Sequence, residues 1–321
     1  MEALIRRSEG HSHSLVDRAT TTSQTQISKL EESMKSTFAP LRLLTLGVIL
    51  LALGIPLADA QQPRDSATEE QRLLAVLQSD APAAKKAISC KELAIYGSSK
   101  AVPELAKLLP DPQLSSWARI ALEVIPGEQS NAALRTAAES MQGRLLVGVI
   151  NTIGVRRDAQ AVPILISRLK DADVEVASAA AVALGRIADD DATKALQAAL
   201  RTVSEQLKSP VAEACVLCAE ARLLSGRQQE AAEIYDQVRN ADVPMQRIVE
   251  ATRGSILARG QDGVPLLVQS LRSPEKKLRQ LALATVREFP GDQIDTALAN
   301  ELKEVSPARA VSIIQAMADR P

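Results

Sequence analysis

Apolar and polar positions alternate between residues 161 and 200 in a way that predicts short amphipathic helices. Apolar residues recur at a spacing of three and four residues in two runs, and a polar break separates the runs. The first run is Val162, Leu165, Ile166 and Leu169, and the second is Val176, Ala180, Leu184 and Ile187. This spacing places each run on one helical face. Because each helix is short and thinly apolar, it needs a similar neighbour to cover it.

The same helix–break–helix pattern recurs from about residue 80 to the end of the chain. A small residue stands where the first helix of each unit is predicted to stop: Gly97, Gly127, Gly154, Ala188, Gly226, Gly260 and Gly291. A glycine just past a helix end adopts the left-handed conformation that closes the helix. A period of about 30 to 40 residues with this content is typical of an α-solenoid.

The second helices of three units share a proline in one phase. Pro103, Pro163 and Pro265 each stand two residues after the small residue that opens the predicted helix. A proline in the first turn costs no intrahelical hydrogen bond. The common phase therefore indicates inheritance of one repeated unit.

Two units quoted in full carry a resemblance to a known family. AVPILISRLKDADVEVASAAAVALGRIADDDA and GVPLLVQSLRSPEKKLRQLALATVREFPGD resemble HEAT repeats, and especially the short bacterial kind related to phycobilin-lyase repeats. The resemblance covers about residues 80 to 320. It implies an all-α fold, an α-solenoid of about seven stacked helix pairs in a right-handed superhelix. The fifth unit is longer and partly resembles a tetratricopeptide repeat.

The resemblance also implies a function. HEAT-repeat proteins are mostly non-enzymatic scaffolds, so we expect a protein partner on the concave surface, which the second helices line. The alternatives are a spacer module of a larger secreted enzyme and, with less support, a phycobilin-lyase-like protein that handles a tetrapyrrole. Residues 307–317 read as a first helix without a second, which is either the cap of the stack or a sign of a longer protein.

Candidate binding residues come from the second helices and from one turn. The polar positions on the second helices are Glu104, Lys107, Arg135, Arg168 and Lys194. In the turn 151–158, Arg156 and Arg157 could grip a carboxylate or phosphate through two parallel hydrogen bonds. The alternative is that they brace the turn against Asp158 or against free helix carbonyls.

Residues 34–60 predict a signal peptide. A basic flank precedes the apolar run 43–57, and Ala58-Asp59-Ala60 is the small-x-small pattern that a signal peptidase reads. An uncleaved membrane anchor is the alternative, although a span needs about 20 apolar residues. We therefore expect cleavage after Ala60 and export to the periplasm or the exterior.

The remaining boundaries follow from this segment. We expect residues 1–33 to be a disordered or mis-annotated extension, with Met34 as the true start. Residues 61–79 are a linker and a lead-in helix, and residues 80–321 are the solenoid. A membrane contact is expected only through an uncleaved signal segment.

Composition narrows the possible partners. Aromatic residues make up 2% of the chain and hydrophobic residues 46%, which suits thin cores between helices better than one large globular core. The net charge is −1, so the chain lacks the basic excess that nucleic-acid binding requires. The sign of a protein partner's charge stays open.

Few residues offer catalytic or metal-binding chemistry, and no cofactor or metal is expected. The only histidines, His11 and His13, precede the signal segment, which excludes histidine-dependent sites after it. Cys215 and Cys218 are expected to be buried thiols, with a disulfide between them as the alternative. Asp189 is expected to cap a helix.

Trp117 is the single tryptophan of the chain. It stands at helical spacing with Ile120 and Val124, and this spacing predicts a core position for it.

Overall fold

The computed structural model describes residues 65–289 and 291–320, and these contain sixteen α-helices and no strand. The helices are α1 Ser66–Gln78, α2 Ala83–Tyr96, α3 Val102–Lys107, α4 Ser115–Val124, α5 Glu128–Ser140, α6 Gly143–Arg156, α7 Val162–Arg168, α8 Val174–Ile187, α9 Asp190–Ala199, α10 Glu205–Leu224, α11 Gln228–Arg239, α12 Met245–Ala258, α13 Val264–Arg272, α14 Lys276–Glu288, α15 Asp292–Glu301 and α16 Pro307–Ala318. The signal segment and the extension before it lie outside these residues.

Consecutive helices pack as the repeat pattern predicts. The first helices of the units form one row, in which α2, α4, α6, α8, α10, α12, α14 and α16 each contact the next. The second helices form another row, in which α1, α3, α5, α7 and α9 each contact the next, as do α13 and α15. Within the described residues this makes seven complete pairs between a lead-in helix and a final first helix. The predicted all-α solenoid is confirmed.

The core is built largely from leucine, isoleucine, valine and alanine, which suits close helix packing. The buried hydrophobic residues of the described ranges form two clusters. One cluster extends from Leu73 to Ala258 and the other from Ile256 to Ala316, so the two meet on α12. Both clusters lie within the compact unit Arg64–Pro321, which therefore carries its own core.

Two close helix contacts lie in the middle of the first-helix row. A methyl group at Gly154 of α6 would lie 2.9 Å from Cα of Ala183 in α8. One at Gly185 of α8 would lie 2.7 Å from Cα of Ala214 in α10. The same device therefore repeats in two successive units, and it requires glycine because the facing backbone leaves no room.

This packing corrects part of the glycine interpretation. Ala188, Gly226 and Gly260 do have positive φ just after a helix. Gly154, however, lies inside α6, which continues to Arg156, and Arg157 has the left-handed conformation instead, with φ 51°. Gly97 ends α2 with φ −74°. Gly154 is thus explained by the contact with α8 and not by the end of its own helix.

The three prolines lie where the sequence predicts. Pro103, Pro163 and Pro265 each stand in the first turn of their second helix, in α3, α7 and α13. A short 3₁₀ turn precedes each of these helices.

The prediction for Trp117 is wrong. Trp117, Ile120 and Val124 are all exposed on α4, because the helix turns a neighbouring stripe inward. That inner stripe contains Ala118, Ala121 and Leu122, all fully buried. Helix α4 therefore has two apolar stripes. The alanines of the inner stripe, Ala118 and Ala121, leave room for the neighbouring helices α2 and α6.

No helix in the described ranges is long and apolar enough to cross a membrane.

Candidate functional site

Arg156 links two neighbouring units. Its Nη1 group donates hydrogen bonds to the carbonyl oxygens of Leu122, Glu123 and Ile125, at 2.7, 2.9 and 2.8 Å. Its Nε donates to Asn131 Oδ1 at 2.6 Å, and its Nη2 donates to the carbonyl oxygen of Gly127 at 3.1 Å. These carbonyls lie at and just after the end of α4, where a helix leaves acceptors unsatisfied. Arg156 therefore makes the contacts of the second alternative, in which an arginine braces the turn against free helix carbonyls. The carbonyls that it contacts belong to the preceding unit.

The same contacts recur at the other end of the solenoid. Arg320 donates to the carbonyl oxygens of Phe289 at 3.0 Å and Gly291 at 2.9 Å, and also to the carboxylate of Asp295. These acceptors lie 31, 29 and 25 residues before Arg320. Ile125, Gly127 and Asn131 precede Arg156 by the same 31, 29 and 25 residues. The arginine is therefore a recurring structural element of the repeat.

Arg222 on α10 varies this arrangement. It is buried, and its Nη1 donates to the carbonyl oxygen of Ala188 at 2.8 Å, at the end of α8. Its Nη2 donates to Asp190 Oδ1 at 2.7 Å and to Thr193 Oγ1 at 3.1 Å. Arg222 could not be singled out from the sequence, because only the stagger of α10 against α8 determines which groups it reaches.

Two candidate binding residues of the second-helix row also make hydrogen bonds and ion pairs within the protein. Arg168 donates to the carbonyl oxygens of Ala138 and Glu139, at 2.8 and 3.0 Å, at the end of α5. Arg135 donates to Asp158 Oδ2 at 2.6 Å and also pairs with Glu128. Their proposed role in binding a partner stays a prediction.

The remaining candidates differ in exposure, and Glu104 is partly buried. Glu104 accepts hydrogen bonds from Lys107 at 2.9 Å and from Gln78 at 3.2 Å. The hydrogen bond from Lys107 is the main cause that lowers the pKa of Glu104. Lys107 itself is exposed, as is Arg157. The structure does not bring these residues together with Lys194 in one cavity.

Lys194 lines a polar cavity between α9 and α11. The cavity has a volume of about 230 Å³. Its lining residues are Asp190, Thr193, Lys194, Gln197, Arg222, Arg227, Glu230, Glu233 and Ile234. Lys194 is exposed, and its side chain makes no hydrogen bond or ion pair with another described residue.

The other charges of this cavity are mostly paired. Arg227 donates to Glu230 at 2.6 Å and lies 3.4 Å from Asp190. The hydrogen bond from Arg227 is the main cause that lowers the pKa of Glu230. Glu233 accepts a hydrogen bond from Gln229 at 3.2 Å. Lys194 is therefore the cation of this cavity that is available to a carboxylate brought by a partner.

The cysteines are buried free thiols, in agreement with the first of the two alternatives. Burial raises the pKa of Cys90 to about 11 and raises the pKa of Cys215 and Cys218 as well. Since the thiolate is the reactive form, burial makes these thiols poor nucleophiles at neutral pH.

The aspartate run behaves as a helix cap. Asp189 Oδ1 accepts a hydrogen bond from the backbone N–H of Ala192 at 2.7 Å, at the start of α9. Among the described residues, no group of three or more cysteines, histidines or acids is placed to hold a metal ion.

Comparison with known proteins gives a family match and several similar folds. Residues 131–215 match the family model for HEAT repeats. No curated protein matches the sequence. A crystal structure of an engineered protein is 21% identical, with 78% of this chain and 81% of that chain covered and a TM-score of 0.39.

Two natural proteins have similar solved structures. Human deoxyhypusine hydroxylase is 17% identical, with 69% of this chain and 96% of that chain covered and a TM-score of 0.37. The complex of CpcE and CpcF of phycocyanin lyase from Nostoc is 20% identical, with 83% and 97% covered and a TM-score of 0.33. The assignment rests on the family match and on the helix pairs themselves. Residues 131–215, which match the family model for HEAT repeats, lie within a stack of helix pairs of the same architecture.

Proposed function

We propose that this chain is an exported, non-enzymatic scaffold that binds another protein through its second-helix row. The cavity between α9 and α11 is the centre of that contact. The observation that carries this assignment is Lys194, a cation without a partner among the described residues, in a polar cavity on that row. A carboxylate on the partner pairs with Lys194 there.

The surroundings of Lys194 support binding of a side chain in preference to a reaction. Arg222 and Arg227 are already held by Ala188, Asp190 and Glu230, so the wall is preorganised and costs little to order. A pre-formed polar cavity of this size fits one carboxylate side chain of a larger partner. The absence of histidine after residue 33 supports the non-enzymatic assignment.

Export is supported by residues 34–60 alone. The basic flank, the apolar run and the Ala58-Asp59-Ala60 site have the order of a cleavable signal. Expression of the full chain in a bacterium, followed by N-terminal sequencing of the envelope fraction, tests this. We expect Gln61 as the first residue, and an intact N-terminus in that fraction would contradict cleavage.

Affinity capture tests the scaffold. Residues 61–321 are immobilised, an envelope extract is passed over them, and bound proteins are identified at low and at moderate salt. We expect one protein to be retained at both salts, and about a tenfold loss of its affinity with Lys194→Glu. Lys170→Glu, which reverses an exposed charge outside the cavity, is the matched control.

Two results would count against this function. A folded bait that retains no protein at either salt would remove the scaffold assignment. Equal capture by the Lys194 and Lys170 variants would leave a scaffold but would place its contact elsewhere than the α9–α11 cavity.

A further inference from the structure

Six large apolar side chains are exposed on the first three helices of the first-helix row. They are Ile88 and Ile95 of α2, Trp117, Ile120 and Val124 of α4, and Val155 of α6, and between 38% and 74% of each is exposed. We name these six residues the α2–α4–α6 ridge. Large apolar side chains exposed together on neighbouring helices are typical of an interaction surface.

The residues of the ridge recur at similar places in the three helices. Ile95, Val124 and Val155 each lie in the last turn of their helix, and Ile88 and Trp117 lie seven residues before Ile95 and Val124. Seven residues are two helical turns, so each pair shares one face. Since α2 packs on α4 and α4 packs on α6, the three helices that carry the ridge are neighbours.

The exposed charges without an ion-pair partner on these three helices are positive within the described residues. Helices α2, α4 and α6 contain six basic residues and two acidic ones, although the whole chain has a net charge of −1. Lys85, Lys91 and Arg144 are exposed and make no ion pair within the described residues.

The two acids of these helices do not offset this charge. Glu92 is directed to α1, where Arg72 pairs with it at 2.9 Å. Glu123 lies near the guanidinium groups of Arg119 and Arg156, which balance it. The helices of the apolar ridge therefore also carry cations that have no ion-pair partner among the described residues.

We propose that the α2–α4–α6 ridge docks onto an anionic lipid membrane surface. Lys85, Ile88, Lys91 and Ile95 follow each other at steps of three and four residues, so cations and aliphatic tips alternate along α2. The aliphatic tips enter the boundary between headgroups and acyl chains, while the lysine stems extend to the lipid phosphates. Trp117 occupies the interfacial layer that tryptophan prefers.

The interleaved lysines favour a membrane over a protein. Protein–protein interfaces are depleted of lysine, and their buried centres carry few charges. Here Lys91 lies between Ile88 and Ile95, where a protein partner would have to desolvate it. A layer of lipid phosphates takes the same cation without removing it from water.

This docking surface is separate from the proposed protein-binding site. The ridge lies on first helices, whereas Lys194 lies on a second helix. The inference also goes beyond the expectation that only an uncleaved signal segment meets a membrane. Failure of one assignment therefore leaves the other intact.

Trp117 provides a direct readout, because it is the single tryptophan of the chain. Residues 61–321 contain the whole compact unit and exclude the apolar run 43–57. This protein is mixed with vesicles of equal parts phosphatidylglycerol and phosphatidylcholine, or of phosphatidylcholine alone. We expect co-sedimentation and a blue shift of the Trp117 fluorescence with the anionic vesicles only, both weakened by salt.

Two sets of substitutions separate the contribution of the basic residues from that of the apolar ridge residues. Lys85→Gln, Lys91→Gln and Arg144→Gln together are expected to weaken vesicle binding about a hundredfold. Ile88→Ser, Ile95→Ser and Ile120→Ser together are expected to weaken it by about as much. The matched control removes three exposed apolar side chains elsewhere: Leu224→Ser, Val311→Ser and Ile314→Ser. Circular dichroism verifies that all variants are folded.

Three outcomes would overturn the inference. The wild-type protein could fail to sediment with anionic vesicles, which would assign the ridge to a protein partner. It could sediment without a shift of the Trp117 emission, which would mean that another surface binds the lipid. The control could also lose as much binding as the ridge variants, which would mean that adsorption is non-specific.

Discussion

Helices α6 and α16 are each associated with the same kind of arginine contact to the preceding unit. They differ in how far an isoleucine at the same distance before that arginine is buried. Ile150 lies six residues before Arg156, and Ile314 lies six residues before Arg320. Ile150 is fully buried, whereas 53% of Ile314 is exposed. The difference arises because α8 packs on α6, while no described helix follows α16. The same local device thus produces different burial, because burial in a solenoid depends on the neighbouring unit.

The largest expected effect on stability comes from shortening the two isoleucines of this comparison. Ile150→Ala is expected to lower the free energy of unfolding by about 3 kcal/mol, because it leaves a cavity between α6 and α8. Ile314→Ala is expected to change it by at most about 0.5 kcal/mol, because the side chain is half in solvent. Urea unfolding of both variants measures the two values. Equal losses would show that α16 is covered in solution.

Gly154→Val examines the close contact between α6 and α8. The added side chain meets the backbone of Ala183, so the helices must separate. We expect a loss of about 2 to 3 kcal/mol from overpacking. Val155→Ala at the next, exposed position is the control and is expected to be nearly neutral. A neutral Gly154→Val variant would mean that α6 and α8 are not in close contact.

The two arginines allow a paired comparison of the shared device. Arg156→Met removes donors from four carbonyl oxygens within the stack, and we expect a loss of about 2 kcal/mol. Arg320→Met removes donors from two carbonyl oxygens at the last described helix, and we expect about 1 kcal/mol. Thermal unfolding measures both. A larger loss at Arg320 would contradict the idea that the inner unit depends more on its clamp.

The smallest effect concerns Asp236 on α11, near the junction of the two core clusters. Burial acts to raise the pKa of this carboxyl, but hydrogen bonds from Arg239 and Ser255, at 2.7 Å each, and from Arg259 lower it below its usual range. A depressed pKa contributes stability above the unfolded-state pKa of about 3.9, and this stability is lost as pH falls below it.

Asp236→Asn is therefore expected to cost about 1 kcal/mol at pH 7 and less as the pH falls to about 3. Urea unfolding at several pH values measures this difference. Glu205→Gln, at an exposed carboxylate of α10, serves as the control. A difference that stays constant with pH would show that the ionised form of Asp236 contributes nothing to stability.

Much of the architecture could be predicted from the sequence. Val162, Leu165 and Leu169 are buried as their spacing indicates, and Pro163 opens the helix that it was predicted to open. Such positions depend on the local period and on local backbone chemistry, so one unit contains enough information. The repetition of the unit then implies the stack.

Other assignments could not be predicted, because they depend on how neighbouring units are staggered. Arg156 was open to ligand binding or bracing, and its hydrogen bonds with the end of α4 show the bracing contacts. Trp117 was predicted to be buried, yet the stripe beside it is the one that faces inward. Either stripe satisfies the helical period, and only packing against α2 and α6 selects one.

By itself the sequence determined the helices, their order and their repeat, because hydrophobic period, helix breaks and proline phase act within about 40 residues. The tertiary structure decided which arginines clamp neighbouring units, where Lys194 meets a cavity and which apolar stripe stays outside. These features join side chains some 30 residues apart, as Arg156 and Ile125 are. Their contacts depend on the distance and rotation between stacked helices, which no single unit encodes.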